Sequence, residues 1–394
     1  MEREMNEVLS KSLIKWKICK NCGERIIDEG ACPACGCADC YDDIEAYTRE
    51  YYTVENGILK GYKKTAEKMW VFAPVVDIGE RAFENCPLKE IYIGDGVERI
   101  GTQAFQGCKN FEKSSVPTSL NYVGAGVFNY CEHPLEISYR GGFLEWCGAD
   151  MIWLHEGHRI RVEGFFLDEM EELVIPDGVT EIKQGAFQTC ANLRRLILPV
   201  SVKKIGAWAW GGARNIKEIR YEGDLADWLE TDSWCFAEAE LFINGQSVQE
   251  LEEVTVPDGV TKIGACAFYF FRNIKRVVLP SGVKELGWSA FRECKRLTEV
   301  VLPEGVEKIN ELAFFGCTGL EKLILPVSVD TVESDAFEGC DRKRLKIYAR
   351  VKKRPPGWSE WKYSAIDSVS GKKYWRKFYW NPEKCKVKWG YKGE

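Results

Sequence analysis

Between residues 276 and 317 the apolar and polar positions follow the same order twice, in "RVVLPSGVKELGWSAFREC" from Arg276 to Cys294 and "EVVLPEGVEKINELAFFGC" from Glu299 to Cys317. In each copy a β-branched run ends at a proline, which predicts a short strand closed by a residue that cannot donate to a ladder. A Gly-containing turn follows, and V-x-x-I predicts a second short strand. "NELAFFGC" predicts one or two helical turns that bring Leu312 and Phe315, or Ala313 and Phe314, to the core with Cys317. The spacing extends well beyond these copies. Prolines 176 and 199, then 257, 280, 303 and 326, step by 23 residues, and aromatics keep that count at Phe105 and Phe128, at Phe187 and Trp210, and at Phe268, Phe291, Phe314 and Phe337. A period of this size predicts a repeat solenoid of α+β coils, with short strands plus short helical turns per coil. One coil cannot bury its own apolar face, but stacked coils bury Leu, Val, Phe and Cys in continuous columns.

The repeat L-x-x-V-x-L-P, V-x-x-I-G, A-F-x-x-C, as written in "LEEVTVPDGVTKIGACAF" and "LRRLILPVSVKKIG", resembles the BspA-type leucine-rich repeat family. The resemblance implies a leucine-rich repeat solenoid and a role in binding other proteins. Many members of that family are bacterial cell-surface adhesins. This sequence shows neither an apolar leader before a cleavage site nor a wall anchor, and the expected location is therefore cytoplasmic. The organisation expected is a zinc-ribbon-like segment over residues 1–45, a linker or N-terminal cap over 46–74, the solenoid over 75–349, and a basic, aromatic cap or tail over 350–394.

Two insertions interrupt the period, at about residues 135–170 and 217–250. They are related: "YRGGFLEW" from Tyr139 matches "YEGDLADW" from Tyr221, which makes a duplicated unit of about 82 residues. Both copies keep aromatics and glycines and share no ionisable set, so their expected role is structural, a short helix packed beside the coils. Cysteine recurs three residues after the aromatic in most coils. Side chains at one fixed position of stacked coils run parallel, which disfavours disulfides; buried free thiols acting as small apolar groups are expected.

Alternation along the first strand points the residue between its two apolar positions away from the core. Tyr92, Val174, Ile197, Val278, Val301 and Ile324 occupy that position and are the candidate partner-binding residues. Two outcomes are open: an exposed apolar stripe that marks a partner site, or a stripe covered by a second layer from the insertions or the tail. Glu171 and Glu172 precede Arg194 and Arg195 by one coil, as Glu252 and Glu253 precede Lys275 and Arg276, which predicts cross-strand ion pairs.

Hydrophobic residues make up 45% of the 394 positions and charged residues 29%, the balance of a folded soluble chain without a membrane span. The net charge of −6 is unevenly placed. From Arg342 onward there are 17 Lys and Arg against 4 Asp and Glu, so the tail is basic and the rest acidic. Of the 17 cysteines, six fall between residues 19 and 40. Cys19-x2-Cys22 and Cys32-x2-Cys35, each second cysteine followed by glycine, have the spacing of two thiolate turns that close a tetrahedral structural zinc site. The segment resembles a short bacterial zinc ribbon. Cys37 and Cys40 offer alternative sulfurs.

The tail "GKKYWRKFYWNPEKCKVKWGYKGE" interleaves cations with aromatics, and Lys372, Lys373, Trp375, Arg376 and Lys377 are candidate contacts to nucleic acid. Its alternation equally fits a cap over the last open coil. No catalytic set stands out. The histidines are His133, His155 and His158, and the second insertion has none at the matching positions. The reading that follows is a non-catalytic, protein-binding scaffold with structural Zn2+. A nucleic-acid-binding protein using tail and ribbon is the alternative.

Overall fold

The computed structural model describes residues 17–19, 25–26, 40–41, 44–132, 134–149, 157–234, 239–333, 335–341, 343–353, 361–366, 373–378 and 387–392. The chain divides into two compact units, Met1–Glu169 with Gln188–Cys190, and Met170–Phe187 with Ala191–Glu394.

In the second unit, the β-branched runs form the strands Glu253–Thr255, Arg276–Val278, Glu299–Val301 and Lys322–Leu325. Each pairs in parallel with the same residues one coil away: Val277 lies opposite Val300, and Val300 opposite Leu323. The V-x-x-I segments make a second parallel sheet through Lys262–Ile263, Glu285–Leu286, Lys308–Ile309 and Thr331–Val332. A further sheet of this unit runs through Glu172–Val174, Arg195–Leu198, Glu218–Tyr221 and Glu240–Ile243. The first unit repeats the scheme with Lys68–Val71, Glu90–Ile93, Lys113–Val116, Glu136–Tyr139 and Arg159–Val162 in one sheet, and Asp77–Ile78, Arg99–Ile100 and Tyr122–Val123 in the other.

Between the sheets the aromatic column fills the core. Phe268, Phe291, Phe314 and Phe337 stack with ring centroids 4.7, 5.2 and 5.3 Å apart and planes within 11° of parallel. That spacing is close to the distance between neighbouring strands, because each coil climbs by one strand. Ala313, Phe314 and Cys317 are fully buried. The repeat cysteines are free, as expected. In the later coils the thiol donates to a carbonyl of a preceding coil, Cys294 to Phe268 at 3.3 Å, Cys317 to Phe291 at 3.0 Å and Cys340 to Phe314 at 3.2 Å. Burial pushes the thiols up, Cys86 to about 11 and Cys266 to about 12, so they stay protonated and unreactive.

The A-F-x-x-C segment is not the helical turn expected. It is a run of tight turns whose N–H groups reach the next coil: Phe291 donates to Ala313 O at 2.7 Å and Phe314 to Ala336 O at 2.7 Å. A helix would direct those donors to its own preceding turn. The residue two before the aromatic is left-handed in coil after coil, at Arg81, Gln103, Trp208, Cys266, Ser289, Leu312 and Asp335, with φ between 54° and 59°. One such residue breaks a right-handed helix. Close approach also explains a glycine, since a Cβ on Gly287 would lie 2.7 Å from the backbone of Gly264 and Ala265.

Both insertions carry a short helix packed through a buried tryptophan. Helix α1 (Ile44–Tyr51) precedes the coils, while α2 (Phe143–Gly148) and α3 (Leu225–Glu230) lie in the insertions. In α2 the buried Trp146 packs edge-on against Tyr139, with ring centroids 5.1 Å apart; in α3 Trp228 does the same against Tyr221 at 5.3 Å and donates from Nε1 to Ala267 O at 2.9 Å. Each insertion then ends its sheet in a hairpin. Glu163-Gly164 and Asn244-Gly245 take positive φ at both turn positions and return the chain as the antiparallel stubs Phe165–Phe166 and Gln246–Ser247. His133 and His155 lie outside the described residues. His158 is 9% exposed, edge-on to Phe128, and its Nδ1 accepts from Leu135 N at 3.2 Å. It serves the core.

The strand Val387–Trp389 pairs in parallel with Lys346–Ala349, so this part of the tail covers the last coil as a cap would. The strands Trp361–Ile366 and Lys373–Phe378 form a separate antiparallel pair. At the other end, backbone strands Lys17–Cys19, Arg25–Ile26 and Cys40–Tyr41 form a three-stranded antiparallel sheet. No described helix is long and apolar enough to cross a membrane.

Two predictions follow from these strained or buried positions. Ser289 is buried and left-handed, and its hydroxyl has no partner. Ser289→Gly removes both penalties at the cost of some unfolded-state entropy, so it should raise stability by about 1 kcal/mol. Ser289→Ala should gain less, and a lower denaturant midpoint for the glycine variant would contradict the assignment. Burial lowers His158 from its ordinary 6.5 to about 4. The unfolded chain therefore takes up a proton before the folded one, and the stability held at neutral pH is lost as pH falls from about 6.5 towards 4, by on the order of 3 kcal/mol. Denaturant midpoints at pH 7 and 4.5 should converge for wild type and His158→Gln; parallel lines would show that the imidazole is not held neutral.

Candidate functional site

Outward positions of the first strands form rows because the coils are in register. In the second unit one row starts the strands with charges, Glu253, Arg276, Glu299, Lys322 and Lys346, each opposite the next. The neighbouring row is Thr255, Val278, Val301, Ile324 and Tyr348. Of its predicted members, Val301 is 36% exposed, and Val278 and Ile324 are half-buried. The three therefore share one face.

Val174, 52% exposed, lies opposite the half-buried Ile197 on a different sheet of the same unit, where the row continues through Arg220 to Phe242. Tyr92 belongs to the first unit. Its hydroxyl accepts from Arg140, whose guanidinium sits 4.4 Å from the ring centroid and pairs with Asp95 at 3.0 Å. The structure thus places the six predicted residues on three separate sheets. Val174 and Ile197 are a pair on one of them, and Val278, Val301 and Ile324 form a run of three successive strands on another.

Sequence reasoning missed the end of that run. Tyr348 lies opposite Ile324 and Lys388, contacts Tyr391 with centroids 4.9 Å apart, and has the ammonium groups of Lys322 and Lys388 at 5.9 and 5.2 Å. Its strand "LKIYA" has the right alternation, but its step from the preceding coil is 24 residues rather than 23. Phe242 was missed for a different reason: it belongs to an insertion. Arg220 lies 5.6 Å from its ring centroid.

Ion pairs edge these rows. Glu252 and Lys275 meet at 2.7 Å, Glu172 and Arg195 at 2.7 Å, and Glu171 and Arg194 at 3.9 Å, as the charge pattern predicts. Arg276 turns instead to Glu299 at 2.9 Å. Lys275 holds the Glu252 carboxyl below its usual range. All of these side chains are exposed, and each pair adds little to stability.

Of the proposed zinc ligands, Cys22, Cys32 and Cys35 lie outside the described residues, and Cys19 is described in its backbone alone, opposite Cys40. Lys372 also lies outside them. Lys373, Trp375, Arg376 and Lys377 lie on the strand Lys373–Phe378.

Residues 62–144, 158–244 and 242–355 match the family model described as BspA type Leucine rich repeat region, in six copies. Among solved structures, a leucine rich cell surface protein of Faecalibacterium prausnitzii A2-165 is 22% identical over 78% of this chain and 88% of its own, with a TM-score of 0.40. A leucine-rich repeat protein of Bacteroides ovatus ATCC 8483 is 23% identical over 75% of this chain and 91% of its own, with a TM-score of 0.30. One from Eubacterium ventriosum ATCC 27560 is 14% identical over 78% and 94%, with a TM-score of 0.31. No curated protein matches the chain.

Proposed function

The chain belongs to the BspA type leucine rich repeat family, and from that premise we propose that it is a non-catalytic, cytoplasmic scaffold that binds a protein partner through the outward face of its repeat sheets. The observation that carries the reading is the row Val278, Val301, Ile324 and Tyr348 beside Arg276, Glu299 and Lys322. Apolar side chains held one strand apart on a hydrogen-bonded sheet lose little entropy when covered, and flanking charges of both signs set the register of what covers them. The occupant that fits is a polypeptide segment with apolar residues bordered by charges of both signs. The cap formed by Val387–Trp389 supports assigning that part of the tail to closing the solenoid rather than to nucleic acid.

We also propose that Cys19, Cys22, Cys32 and Cys35 hold a structural zinc ion. Four thiolates suit a closed site that fixes the fold and leaves no position for a reacting water. What favours this, beside the spacing of the cysteines, is that the backbones of Lys17–Cys19 and Arg25–Ile26 are antiparallel partners. The same sheet sets the Cys40 backbone opposite that of Cys19, and Cys37 and Cys40 are the alternative ligands.

Replacing Val278, Val301 and Ile324 together with Asp should lower nuclease-resistant recovery of the protein partner by at least about tenfold while the circular dichroism and melting curve stay those of a folded chain. Undiminished capture by that folded variant would remove the face from consideration. Elemental analysis of the purified chain should find stoichiometric zinc, lost in Cys19→Ser and Cys32→Ser and retained in Cys40→Ser. Loss in Cys40→Ser with retention in Cys32→Ser would move the ligand set to the later cysteines.

A further inference from the structure

Helix α1 leads directly into the hairpin Tyr52–Glu55 and Ile58–Tyr62, whose turn is Asn56-Gly57 with φ of 50° and 77°. Helix, hairpin and the loop at Pro74 enclose a cleft of about 430 Å3, within the range of small-molecule sites. Its polar lining is Thr48, Arg49 and Lys63, with Asn56 at the turn; its apolar lining is Tyr52, Val54 and Pro74.

Three features of this lining point to a ligand. Thr48 is 4% exposed, and its Oγ1 is buried without a hydrogen-bond partner. A helical threonine ordinarily satisfies its hydroxyl on the carbonyl four residues earlier, so an orphaned one beside a cavity lacks an acceptor that something else could supply. Arg49 is exposed and makes no ion pair among the described residues. Lys63 is drawn to the same place, its Nζ donating to Arg49 O at 3.1 Å. No carboxylate lines the cleft among the described residues, and Glu50, the neighbour of Arg49, is engaged by Lys64. Tyr52 is buried and spends its hydroxyl on Trp70 O at 2.8 Å, so it adds no polar group to the lining.

Two cations with no ion pair among the described residues, an orphaned hydroxyl donor and an apolar floor make one chemical demand. We propose that this cleft binds a small organic anion, with a carboxylate or phosphate head group between Arg49, Lys63 and Thr48 Oγ1 and a short apolar body against Val54 and Pro74. Arg49 supplies the planar pair of donors that both head groups accept, and Lys63 supplies a point charge. The site is separate from the outward rows of the second unit and does not depend on the scaffold reading.

The test is calorimetric titration of the full chain with phenyl phosphate, benzoate, inorganic phosphate and the neutral control benzamide. Phenyl phosphate or benzoate should bind saturably and at least tenfold more tightly than benzamide. Preference for phenyl phosphate would assign the head group as phosphate, and preference for benzoate as carboxylate. Arg49→Gln, at an exposed position, should weaken the better probe about tenfold or more. Thr48→Val should weaken it severalfold and at the same time raise the melting temperature, because the unpaired hydroxyl is gone. The proposal is overturned if neither aromatic anion binds, if benzamide binds as well as they do, or if both folded variants retain wild-type affinity.

Discussion

Parallel, in-register pairing between successive coils is the constraint on which everything else in this protein depends. It sets the rise of each coil to one strand spacing, and every repeat position then becomes a column. The Phe291 and Phe314 rings lie 5.2 Å apart with planes 2° from parallel because their backbones are hydrogen-bonded neighbours, not because aromatic rings seek that geometry. Quadrupoles favour offset or edge-on pairs, as at Tyr221 and Trp228. The stacked column is a packing solution imposed by the backbone and held by burial.

The same constraint explains two departures from ordinary local structure. Turning the chain after each second strand while keeping N–H groups aimed at the next coil takes a left-handed residue, and the protein accepts one at positions as different as Trp208, Ser289 and Asp335. Such strain persists where surrounding contacts over-determine the backbone. The insertions answer a different problem. A parallel sheet has an open edge wherever its coils pause, and the Glu163-Gly164 and Asn244-Gly245 hairpins fold an antiparallel stub over that edge. Trp146 and Trp228, both fully buried, fill the core beside these pauses.

A scaffold built this way separates stability from recognition. Inward residues repeat because each must match its neighbours above and below, whereas outward residues answer only to solvent and partner. The outward row therefore varies from Tyr92 to Ser115, Ile197, Arg220 and Tyr348, while the inward rows are chiefly Ile, Leu and Val, with exceptions such as Met69, Ser114 and Tyr221. The N-terminal cleft lies off these rows, where a helix and a hairpin replace the repeated coil and an orphaned Thr48 hydroxyl is left inside. Irregular segments at the end of a regular stack are where a unique site can be built without breaking the register.

The 23-residue period, the strand ends at proline, the buried column of free cysteines and the cross-strand ion pairs were legible in the residues themselves, since each depends on chemistry repeated locally at fixed spacing. The duplicated insertions could also be read as structural, because aromatics and glycines without ionisable groups can pack but have little chemistry to offer. Other features depended on distant parts of the chain. Donors of "NELAFFGC" that would suit a helix are captured by the next coil, which turned an expected helical segment into tight turns. The six outward residues share a repeat position, yet the structure sets them on three sheets, because hairpins of only a few residues interrupt the pairing between them. The cleft at Thr48, Arg49 and Lys63 carries no spacing or motif, since it exists only where helix α1, its hairpin and the Pro74 loop meet. Periodicity decides what lies inside a coil; which coils adjoin, and what their ends enclose, is settled by contacts that no local pattern encodes.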